Sequence, residues 1–106
     1  MTTTPPAEVF VPNGEIDLDV AARVNAALCA ILAKQPKRLV VDLTNVNYLD
    51  SAGLAVLIRG MQDARDYGGE FFLAAMREEL LPIFQMACLD TFFRIFPDVR
   101  SALVAE

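Results

Sequence analysis

The side chains best suited to chemistry in this sequence gather in Asp50-Ser51-Ala52-Gly53-Leu54, where a hydroxyl follows a carboxylate at the start of a helix-forming stretch. On spacing alone Ser51 reads as a helix cap, whose oxygen would accept first-turn N–H groups and whose removal would cost about 1 kcal/mol. Asp17 and Asp42 are the other carboxylates that an acid–base mechanism could use, but nothing in their spacing pairs either with Asp50. Asp17 and Asp50 both flank helix starts, where a negative charge is favoured by about 0.3–1 kcal/mol. The chain has no histidine, which removes the commonest general base, the usual nitrogen metal ligand and every Ser-His or Cys-His nucleophile. Cys29 and Cys88 form neither a CxxC pair nor a multi-cysteine framework, so two buried free thiols are expected. No catalytic residue, metal or cofactor is expected.

Composition narrows the partners. The net charge is −5, and the nine Lys and Arg residues are dispersed without forming a basic stripe, which argues against nucleic acid and against an anionic membrane. A protein with a basic surface fits better. No apolar run approaches the roughly 20 residues of a membrane span, and Met1-Thr-Thr-Thr-Pro-Pro lacks the basic and apolar regions of a signal peptide. A cytoplasmic location is expected. A hydrophobic fraction of 55% over 106 residues is enough for one folded core. Residues 1–6 are expected to form a flexible N-terminus and residues 7–106 a single domain.

The elements that must hold these residues follow from periodicity. Ala7 to Pro12 is extended and leads to a turn-prone Asn13-Gly14. Val20, Ala21, Val24, Ala27, Leu28, Ile31 and Leu32 form a helical stripe, capped by Asp17 or Asp19 and ending before Pro36. Arg38 to Leu43 is a β-branched run of the kind buried on both faces of a sheet. A polar link from Thr44 to Asp50 leads to a second helical stripe through Leu54, Leu57, Ile58, Met61 and Ala64, which Gly68-Gly69 terminates. Glu70 to Ala75 is the next strand, and Arg77 to Ala87 a helix with Pro82 near its first turn. Thr91 to Phe96 is the last strand, after which Pro97 opens a short terminal helix. The order β-α-β-α-β-α-β-α implies an α/β fold, a small mixed or parallel sheet with helices packed on it. Functional loops in such folds lie beyond the carboxyl ends of the strands, where the link from Leu43 to Ser51 falls.

Val40-Val-Asp-Leu-Thr-Asn-Val-Asn-Tyr-Leu-Asp-Ser-Ala-Gly-Leu54 resembles the signature of STAS domains, the anti-sigma factor antagonist family. Gly14-Glu-Ile-Asp17, Ala64-Arg65, Gly68-Gly-Glu70 and Ala102-Leu103 extend the resemblance over nearly the whole chain. It implies a phosphorylation-controlled partner switch and not an enzyme. Ser51 would be phosphorylated by a GHKL-type serine kinase that is also an anti-sigma factor. The unphosphorylated form would bind that kinase and free a sigma factor, and a PP2C-type phosphatase would remove the phosphate. By position, Asp17, Asp50, Ala52, Gly53 and Leu54 would line the docking surface. Two features depart from the family: about a dozen residues precede Gly14, so that its first strand is expected to be shortened or lost, and Ala52 stands where Ser or Thr is frequent.

Two other readings compete. Asp42 at a strand end resembles the phospho-accepting aspartate of a receiver domain, but the only lysines are Lys34 and Lys37 and no late-strand lysine is available. A constitutive STAS subunit of another assembly, with Ser51 never modified, is the alternative to the switch.

Overall fold

The computed structural model describes residues 7–105; the expected flexible N-terminus, residues 1–6, lies outside the described residues. The elements are β1 (Glu8–Phe10), β2 (Gly14–Ile16), α1 (Leu18–Leu32), β3 (Arg38–Asp42), β4 (Val46–Leu49), α2 (Ser51–Asp66), β5 (Glu70–Ala74), a 3-10 turn (Glu78–Leu80), α3 (Leu81–Met86), β6 (Arg94–Phe96) and α4 (Val99–Val104).

A four-stranded sheet runs in the order β1-β3-β5-β6, every neighbouring pair parallel. Parallel neighbours need a crossover, and α1 and α2 supply those between β1, β3 and β5. The side-chain period of two sorts β3 and β5 between two layers. Leu39, Val41, Phe71 and Leu73 join the main core with Leu28, Leu32, Leu57 and Met61 of α1 and α2. Val40, Phe72 and Ala74 face the other way, onto Ala102 of α4. Both faces of these strands are therefore covered, which is why they read as unbroken apolar runs. Each Leu or Phe buried here contributes about 1.5–3 kcal/mol. Arg38 ties the second layer to the first: its guanidinium meets Glu70 at 2.7 Å and donates to Ala102 O and Leu103 O at the end of α4.

Several elements depart from the sequence reading. The supposed polar link contains β4, which pairs in parallel with β2 through Ile16 and Leu49 and forms a second, two-stranded sheet. Only Val46 and Leu49 of β4 are buried, so its pattern does not alternate. Gly14 begins β2 where a simple turn was expected, and a single strand, β1, precedes it among the described residues. The helix expected from Arg77 is a 3-10 turn followed by six helical residues, with Pro82 in the first turn of α3. The last strand begins at Arg94 instead of Thr91, and α4 starts after Pro97, capped by Asp98. Cys29 and Cys88, expected to be buried, are both exposed and free. Cys29 lies off the buried stripe of Ala21, Leu28 and Leu32, and Cys88 follows α3 in the left-handed region at φ 59°.

Candidate functional site

Strands β2 and β4 lie side by side and each runs straight into a helix, so that the N-termini of α1 and α2 open at the same end of the molecule. Aspartates finish both turns. Asp17 caps α1, its Oδ1 accepting from Asp19 N at 3.0 Å and from Val20 N at 3.2 Å. Asp50 caps α2, its Oδ1 accepting from Gly53 N at 3.0 Å, while its Oδ2 accepts from Leu18 N at 3.0 Å. One carboxylate thus satisfies donors on both helices, and Asp50 N donates back to Ile16 O at 3.3 Å.

The cap expected at Ser51 therefore belongs to Asp50. Ser51 is the first helical residue and is exposed. Of the four N–H groups that open α2, Asp50 N goes to Ile16 O and Gly53 N to the Asp50 carboxylate. The other two, on Ser51 and Ala52, lie within the helix turn that carries the Ser51 hydroxyl, where the helix dipole favours an anion.

Gly53 makes the arrangement possible. A Cβ there would stand 2.5 Å from Ile16 O and 2.9 Å from Leu49 Cδ2, so only glycine lets α2 start this close to the ends of β2 and β4. The residue is buried, so it shapes the surface from beneath and is not part of it. Ala52 is half-buried against the main core, and Leu54 is half-buried at its margin.

Of the residues singled out from sequence, Asp50, Ser51 and Leu54 share one shallow groove of about 400 Å³, while Asp17 stands at the adjoining helix start. Sequence reasoning missed the rest of the groove: Tyr48 and Leu49 from β4, and Ile83, Met86 and Ala87 from the region of α3. Exposed apolar side chains gather at this end: Met86 is 87% exposed, Leu18 75% and Tyr48 45%. Met86 had a legible signal. It follows the buried Phe84 by two residues, which at the helical period puts it on the opposite side of α3. Asp50 lines the groove, and Asp17 and Asp19 stand at the adjoining start of α1. An exposed hydroxyl on a helix start and an apolar groove that carries the Asp50 carboxylate suit contact with another protein.

Among the described residues no helix is long and apolar enough to cross a membrane. A model of the STAS domain family matches residues 1–102 of the sequence. The sequence is 33% identical over 88 residues to the anti-sigma-B factor antagonist of Listeria monocytogenes, covering 83% of this chain and 76% of that protein. It is 34% identical over 91 residues to the anti-sigma-F factor antagonist RsfB of Mycobacterium tuberculosis, covering 86% of this chain and 74% of that one. A crystal structure of an anti-sigma factor antagonist from Mycobacterium paratuberculosis superposes with a TM-score of 0.85 at 30% identity, over 94% of this chain and 85% of the other.

Proposed function

The chain belongs to the STAS domain family, and from that premise we propose that it is a partner-switching protein of the anti-sigma factor antagonist type, controlled by phosphorylation of Ser51. The observation that carries this reading is the placement of Ser51: exposed at the first position of α2, relieved of capping by Asp50, and on the rim of an apolar groove. The names of its relatives support the class of partner, an anti-sigma factor. The unphosphorylated protein binds a GHKL-type serine kinase that doubles as that anti-sigma factor and so releases a sigma factor. The role is one of binding, with the chemistry residing in the partner enzymes.

In the kinase complex Ser51 Oγ forms a bond to the γ-phosphorus of ATP, the bond from that phosphorus to ADP breaks, and the hydroxyl proton passes to a base on the kinase. The product carries about −1.5 to −2 charges at the groove rim, beside Asp50. Re-docking would then require removal of a strongly hydrated group from water, and the affinity falls. A PP2C-type phosphatase resets the switch by transferring the phosphoryl group to water. Asp17, Asp50 and Leu54 take part in docking directly, and Ala52 and Gly53 shape the helix start from within.

The test is a phosphate-affinity gel of the native protein with and without phosphatase, followed by mass spectrometry after incubation with each purified GHKL-type serine kinase of the source organism and ATP. Phosphate on Ser51 alone, absent from Ser51→Ala, is the expected result. Phosphate chiefly on Ser101 or a threonine, or a Ser51→Ala protein modified to the same extent, would overturn the assignment. Ser51 left unmodified while the protein sits in a stable complex would favour the constitutive subunit.

A further inference from the structure

A kinase that reaches the Ser51 hydroxyl has to cover the surface around it, and that surface is only partly built by the residues next to Ser51 in sequence. The rest of the groove's lining comes from α3 and its cap, more than thirty positions away, through Ile83, Met86 and Ala87. Met86 is the most exposed of the large apolar side chains there, at 87%, although its neighbour Phe84 is fully buried. An exposed methionine on a loose segment would mean little, but the end of α3 is fixed. Leu89 N donates to Phe84 O at 2.8 Å and Cys88 N to Gln85 O at 3.0 Å, the paired bonds of a Schellman turn, with Cys88 in the left-handed conformation that the turn demands. Phe84 in turn packs edge-on against Phe93 in the core. The backbone bearing Met86 is thus held on both sides while the side chain stands in water.

We infer that Met86, with Tyr48 in the same groove, is the apolar anchor on which the kinase docks. The inference rests on the reading of Ser51 as the phosphoacceptor. The occupant it calls for is an apolar side chain of the kinase with basic residues beside it, because the groove is apolar at Tyr48, Leu54, Ile83 and Met86 and carries the Asp50 carboxylate, with Asp17 and Asp19 at the adjoining start of α1. Methionine suits such a contact, since its flexible thioether adapts to the partner's shape. Met86 does not touch the reacting atoms. It adds binding that is the same in the ground state and the transition state, so its loss appears in KM and not in kcat.

The experiment compares wild type, Met86→Ala, Met86→Leu and Val104→Ala with the purified GHKL-type kinase that modifies Ser51, by titration calorimetry and by steady-state phosphorylation. Val104 is 70% exposed on α4, away from the groove, and serves as the control for loss of any surface apolar group. Met86→Ala is expected to raise both Kd and KM about tenfold, equivalent to ~1.4 kcal/mol, with kcat and the melting temperature unchanged. Met86→Leu restores most of the affinity and Val104→Ala stays at wild type. Wild-type Kd and KM in Met86→Ala, with Ser51 phosphorylated normally, would overturn the anchor and leave the phosphorylation reading intact. An equal loss in Val104→Ala would also overturn it. If no GHKL-type kinase binds or modifies the wild-type protein, the phosphorylation reading falls and the anchor falls with it.

Discussion

Asp50 Oδ2 accepts the Leu18 N–H at 3.0 Å across 32 positions of sequence, so that the cap of one helix also serves the first residue of another. The bond locks the starts of α1 and α2 together beneath Ser51 and makes Asp50 a structural residue as well as a candidate docking residue.

Asp50→Ala removes the acceptor from both Gly53 N and Leu18 N and is expected to cost about 2 kcal/mol in urea denaturation at neutral pH. Asp50→Asn keeps an oxygen for the cap but turns an NH2 donor toward the Leu18 N–H, so a loss of about 1 kcal/mol is expected. Ser51→Ala, which deletes an exposed hydroxyl that is not the cap, stays within about 0.5 kcal/mol of wild type. A larger loss in Ser51→Ala than in Asp50→Ala would return the cap to Ser51.

Gly53→Ala and Gly60→Ala differ in what resists the new methyl group. At Gly53 the obstacle is the Ile16 carbonyl, 2.5 Å away and fixed by the backbone, whereas at Gly60 it is the tips of Leu28 and Phe71 at 2.8 and 2.9 Å. Gly53→Ala should therefore destabilise by about 2 kcal/mol or more, and Gly60→Ala by less, because a rotated side chain relieves the clash and alanine favours the helix. Denaturant midpoints for the two variants decide the order.

A phosphate or its mimic at position 51 should leave the fold nearly unchanged. The open N–H groups of Ser51 and Ala52 favour it, and the adjacent Asp50 opposes it. Ser51→Asp is expected to melt within a few degrees of wild type while binding the kinase at least about tenfold more weakly, a ~1.4 kcal/mol effect. A large shift in melting with unchanged affinity would mean that position 51 governs folding instead of docking.

The cap of α4 gives the protein an acid-sensitive contact away from the site. The Ser101 backbone N–H, at 2.7 Å, holds the Asp98 carboxyl below its ordinary value. A depressed folded pKa means that the contribution is present above the unfolded pKa and lost as pH falls through the folded one. The stability difference between wild type and Asp98→Ala should be constant near neutrality and shrink below about pH 4. Urea midpoints at a series of pH values test this, and a difference that grows on acidification would refute it.

Both thiols should be open to reagent in the folded protein. Cys29 and Cys88 are exposed and unpaired, so Ellman's reagent is expected to titrate two thiols per chain without denaturant. Protection of either until unfolding would restore the buried reading.

The sequence by itself determined a sheet covered on both faces, because β3 and β5 are apolar on both faces and such runs fit between helices. The choice of parallel over mixed pairing came from the structure. The motif from Val40 to Leu54 also pointed to a helix start at Ser51, and the structure has α2 begin there. What it left open depended on partners distant in the chain. Strand β4 exposes Asn47 and Tyr48 and is a strand through its pairing with β2, so local pattern shows only a polar link. Ser51 and Asp50 are both good caps by residue type. The choice fell to Asp50 in a fold where the β2–β4 pairing brings Leu18 N within reach of its second oxygen. Burial of the cysteines turned on which side of α1 faces the sheet and on the turn that ends α3. The groove itself joins β4, α2 and α3, elements that only tertiary packing brings to one surface, and periodicity within one element says nothing of its neighbours.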